Sequence, residues 1–182
     1  MKHMELNRAA QKVSFVINRF FLGIAGLVHA LLLILFLEVD LKVPALLCLA
    51  GLILHASLLL LGKQHRRLAM IAGQIEVCLC SMLLTHKTGW DAGFYFYIIG
   101  MLASVSYIGR NSYIHIFPLQ TMNLGALLFL LTSRSCSAVH FNGTDTTLDW
   151  LYTPLFTFNL LTTVFLIAIC TTLFSNDLDR SQ

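Results

Sequence analysis

"VPALLCLAGLILHASLLLLG", residues 43–62, decides the fold. No Asp, Glu, Lys or Arg interrupts it, and its length matches the roughly 20 apolar residues that a helix needs to cross the hydrocarbon of a bilayer. Pro44 suits the first turn of such a helix, and Gly62 with Lys63 closes it. Five further apolar runs flank this one. The expected spans are at about 16–38, 43–62, 67–87, 90–108, 112–133 and 150–174, joined by short connectors. Gly89 precedes the fourth span and Gly109-Arg110-Asn111 follows it.

Composition agrees. Of 182 residues, 57% are hydrophobic and 12% charged, and the mean hydropathy is +0.77. A soluble fold of this size could not hide 13 Phe and so much Leu without large apolar patches, so lipid is the expected solvent. The expected fold class is all-α, a polytopic membrane protein built as a six-transmembrane-helix bundle. The first run is too long, and too poor in a small-residue cleavage site, for a removable signal peptide.

Basic residues give the orientation. Lys2, Arg8, Lys12, Arg19, Lys63, Arg66, Arg67, Arg110 and Arg180 fall on one side, against Lys42, Lys87 and Arg134 on the other. The positive-inside rule then places both termini in the cytoplasm. That topology accounts for the basic residues without a nucleic-acid partner.

The five cysteines suggest no disulfide framework. Cys48, Cys78, Cys80 and Cys170 lie within apolar spans, where thiols pack as small hydrophobes, and Cys136 falls in a connector. Cys78 and Cys80 are two apart and point to different helix faces, so they form no metal pair. Asn142-Gly143-Thr144 matches a glycosylation sequon but reads first as a turn.

The informative residues are those that lipid should exclude: His29 in the first span, His55 in the second, Glu76 in the third, Asn123 in the fifth and Asn159 in the sixth. A charged side chain at mid-bilayer costs about 2.5–3.5 kcal/mol, so such groups should face inward and meet one another. Depths counted at 1.5 Å per residue put all five in one slab, with Glu76 and His55 expected to pair. Three uses compete: interhelical hydrogen bonding, a ligand pocket, and a haem held between His29 and His55. No internal repeat relates the first three spans to the last three, which argues against a small transporter.

Between the third and fourth spans lies "THKTGWDAGFYFYIIG", residues 85–100. Gly89 and Gly93 permit a tight turn, Trp90 suits the membrane interface, and Asp91 is a candidate cap for the next helix. Trp90, Phe94 and Tyr97 could line an opening leading to Glu76 and suited to a small apolar or amphipathic ligand.

The Glu-bearing third span, the Gly89–Phe94 turn with aromatics after it, and the final span running out through "LFSNDLDRSQ" together resemble a known membrane region. It is the six-helix sensor at the N-terminus of bacterial nucleotide cyclases, closest to the GGDEF-type diguanylate cyclases and less close to class III adenylate cyclases. In that family a His often sits one helical turn after the Glu; here the position is Cys80. The resemblance implies a bacterial inner-membrane location, a ligand-responsive bundle, and a homodimer formed through the sixth helix and its linker. It also implies a catalytic domain beyond residue 182. Within the chain itself there is no phosphate loop, HExxH or serine elbow, so a sensory rather than enzymatic role is expected.

Overall fold

The computed structural model describes the backbone of residues 2–61, 65–112, 116–133 and 149–179. Arg134, Cys136 and the Asn142-Gly143-Thr144 turn lie outside these residues. Among the described residues there are six α-helices and no strand. They are α1 (Lys2–Glu38), α2 (Lys42–Leu61), α3 (Arg66–Thr88), α4 (Tyr95–Ser112), α5 (Ile116–Ser133) and α6 (Asp149–Asp179), with a 3-10 turn at Trp90–Ala92.

Five segments are long and apolar enough to cross a membrane: Arg19–Glu38, Lys42–Leu60, Leu68–Thr88, Ile116–Ser133 and Trp150–Leu173. In α4 the apolar part, Tyr95–Ser106, is shorter. The first span keeps its expected place at Arg19–Glu38, and α1 continues N-terminal of it to Lys2. The fifth begins at Ile116 rather than 112, since Ser112 still belongs to α4. α4 starts at Tyr95 rather than Trp90, because the 3-10 turn and a left-handed Gly93 use up the residues between.

Within their membrane-length segments the helices are apolar nearly all round, as lipid-facing helices are. On α1, Leu22, His29, Leu32 and Phe36 are buried, while Leu27, Leu31 and Ile34 on the other face are exposed yet equally apolar. Hydrophobicity alone does not mark the inward face here. The α1–α2 connection is a C-cap in which Leu41 N–H donates to the Phe36 carbonyl and Asp40 takes the left-handed conformation, φ 55°. An aspartate tolerates that geometry better than a bulkier residue would.

The chain forms two compact units. The first comprises residues 1–80 and 108–116, thus α1, α2 and α3 as far as Cys80. Here α1 packs along α2. Leu22, Leu58 and Ala69 form a buried cluster with Leu54, Leu59 and Ala72 against it.

The second unit comprises residues 81–107 and 117–182. α6 presents a buried stripe, Leu151, Leu155, Asn159, Thr163, Leu166 and Cys170, at three- and four-residue spacing. α5 buries Asn123, Ala126 and Leu130 in the same way. Pro154 lies inside α6.

Candidate functional site

Three helices of the first unit each contribute one ionisable side chain to a single cluster. His29 from α1 and His55 from α2 both turn Nε2 toward Glu76 of α3, at 3.2 Å to Oε1 and 2.8 Å to Oε2 respectively. The side chains are nearly sealed, with relative exposures of 8% for His29, 1% for His55 and 12% for Glu76. An ionised Glu76 accepts one hydrogen bond from each imidazole. The imidazole rings stack, centroids 5.3 Å apart and planes 26° from parallel.

Small residues make this approach feasible. The Cα of Gly51 lies so near the cluster that an added Cβ would stand 2.6 Å from Glu76 Oε1 and 2.6 Å from His29 Cε1. A Cβ on Gly26 would touch the Cβ of His55 at 3.6 Å, and one on Gly73 would meet Leu22 at 2.9 Å and His55 Cε1 at 3.7 Å. Each helix thus carries a glycine one turn before its polar residue: Gly26 before His29, Gly51 before His55, Gly73 before Glu76. Small residues let membrane helices approach closely enough for polar groups to meet. These glycines were missed in the sequence reading, although their spacing from the polar residues was a usable signal.

The cluster is not fully satisfied. Nδ1 of His29 and Nδ1 of His55 are buried without a partner among the described residues. Cys48 and Cys80 are buried. Cys80 lies one turn beyond Glu76 on α3.

Of the five polar residues expected in one slab, His29, His55 and Glu76 meet one another in the first unit. Asn159 belongs to the second unit, where its Oδ1 accepts from the Tyr97 hydroxyl at 2.8 Å and its Nδ2 donates to the Ala92 carbonyl at 2.7 Å. Asn123 is fully buried in that unit, and its amide has no partner among the described residues. Depth along a helix is countable from sequence, but the facing direction of each helix is not.

The aromatic stretch also differs from the expected open mouth. Phe94 is fully buried, and Tyr97 is committed to Asn159. Trp90 packs its ring on Tyr95 at 4.6 Å, and Phe96 meets Phe156 edge-on at 5.2 Å. Gly89 (φ 88°) and Gly93 (φ 76°) provide the positive φ values that the turn requires. Asp91 lies within the 3-10 turn, exposed, rather than at the cap position before Tyr95.

A haem between His29 and His55 fits this geometry poorly. Axial ligands approach iron from opposite faces of the macrocycle, whereas these rings stack directly and aim both Nε2 atoms at one carboxylate.

Fold and site together define a helical protein with apolar, membrane-length helices and an ionisable His–Glu–His cluster buried among three of them. No family model, curated protein or solved structure matches the chain.

Proposed function

We propose that the chain is a membrane-embedded sensory domain, a six-span bundle of the kind that precedes bacterial nucleotide cyclases, with diguanylate cyclase output favoured. The observation that carries this reading is the His29–Glu76–His55 cluster. Ionisable groups at membrane depth are costly and mark functional sites. A ligand that binds there changes what holds α1, α2 and α3 together, and so shifts the balance between packings of the bundle. α3 runs unbroken from Arg66 through Glu76 to Thr88, next to the turn that Asn159 of α6 clasps through Ala92. α6 is one helix from Asp149 to Asp179, a suitable lever for passing a rotation to a downstream dimer.

Output from the complete gene product tests the proposal. Glu76→Gln is expected to alter the rate of cyclic-dinucleotide formation. One alanine inserted after Phe174 turns everything beyond it by about 100° and should lock or abolish output, while seven nearly restore the phase and should recover it. If output is unchanged in all three, or if no cyclase domain follows Gln182 in the gene, the reading fails. Orientation is tested separately: an impermeant maleimide should label a cysteine placed at Asn142 in intact cells and spare one placed at Arg66.

A further inference from the structure

The same three side chains form a set of metal-ligating atoms. One ring nitrogen each of His29 and His55 and a Glu76 carboxylate oxygen lie within 4.8 Å of one another, and it is Nε2 that both rings turn toward Glu76. A tetrahedral ion with bonds of about 2.1 Å holds its ligand atoms roughly 3.4 Å apart. His29 Nε2 lies 3.2 Å from Oε1 and His55 Nε2 2.8 Å from Oε2, so an ion held through one carboxylate oxygen requires the carboxylate and the imidazoles to shift around it. Gly51 lets Glu76 Oε1 and the His29 ring lie directly against the α2 backbone, where a Cβ would stand 2.6 Å from each, and so brings the three donors together.

The donor types narrow the ion. Calcium and magnesium favour shells of oxygen, and monovalent copper favours sulfur, whereas two imidazoles and a carboxylate suit borderline divalent ions. Charge points the same way. With neutral histidines the cluster leaves one carboxylate charge uncompensated at membrane depth, and a divalent cation offsets it.

We infer that His29, His55 and Glu76 bind one divalent ion of the zinc class, with a coordination position left open. Three protein ligands with an open fourth position are the pattern of reactive or exchangeable sites rather than of closed structural ones. This deepens the sensory reading by naming the class of ligand, and it rests on that reading only for the use made of the ion. Binding is measured on this chain alone and output on the complete gene product, so the two can fail separately.

The chain, carrying no histidine tag, is purified in detergent, stripped with a chelator and titrated with Co²⁺. One equivalent should give the intense visible bands of four- or five-coordinate cobalt, and Zn²⁺ should displace them. Glu76→Gln and His55→Ala should each weaken binding by more than about 100-fold, beyond what outer-sphere changes do, and Gly51→Ala by at least about tenfold although it leaves all three ligands in place. Substituting the exposed His65 and His86 by alanine should leave binding unchanged. Pulsed electron paramagnetic resonance of the Cu²⁺-loaded wild type should count two imidazoles, a result that depends on no variant being folded. Absence of the visible bands, their survival in Glu76→Gln or His55→Ala, an imidazole count other than two, or sulfur-to-cobalt charge-transfer bands would overturn the assignment.

Discussion

In the first unit Glu76 lies between His29 and His55, three ionisable groups drawn from three helices. In the second, Asn159 joins the Tyr97 hydroxyl to the Ala92 carbonyl through neutral hydrogen bonds. Both arrangements are buried, yet they answer different needs. The Asn159 network uses both ends of its amide and pins a turn, Trp90–Ala92, that carries the chain from α3 to α4. The His–Glu–His cluster keeps a charge-bearing group in an apolar setting and leaves both Nδ1 atoms without partners. Neutral groups that satisfy one another are sufficient to hold helices together. Ionisable groups left partly unsatisfied cost stability, which points to a use other than holding the fold.

Single substitutions should expose that contrast. Glu76→Ala strands two stacked imidazoles and should have the largest effect, about 3 kcal/mol, read from thermal unfolding in detergent. Next comes Gly51→Ala, whose added methyl meets Glu76 and His29; overpacking of this kind costs about 1–3 kcal/mol. Gly125→Ala on α5 is its control. Nothing lies within 4 Å of a Cβ added there, so the better helix propensity of alanine should leave stability equal or raise it by up to about 1 kcal/mol.

Asn159→Ala leaves the Tyr97 hydroxyl and the Ala92 carbonyl without their partner and should cost about 1–2 kcal/mol. The comparison breaks if Asn159→Ala proves more damaging than Glu76→Ala. Thr171→Ala should have the smallest effect, within about 0.5 kcal/mol, because among the described residues its exposed hydroxyl bonds only to the Ile167 carbonyl of its own helix.

Much of the helix layout could be read from residues. Pro44 lies in the first turn of α2, Glu38 and Thr88 end α1 and α3 within a residue of the expected limits, and the His55–Glu76 contact was anticipated from depth. The rest was hidden for identifiable reasons. Gly93 turns left-handed, which delays α4 to Tyr95. Helices apolar on every side give no periodicity from which to tell that Asn159 faces Tyr97 while His29 faces Glu76. The glycine one turn before each of His29, His55 and Glu76 carries that information, since a helix can be approached closely only where its side chain is missing.

The central claim is that the cluster serves function and not stability, and one variant tests it most directly. His29→Leu, His55→Leu and Glu76→Leu combined remove every ionisable group at once and leave none stranded. Replacing a buried charged cluster with apolar residues of similar volume is often neutral or stabilising. The metal-free triple variant should therefore unfold in detergent at the same temperature as the wild type or higher, although Glu76→Ala alone lowers it. A triple variant that unfolds at least as early as Glu76→Ala would contradict the claim and make the cluster the glue of the first unit.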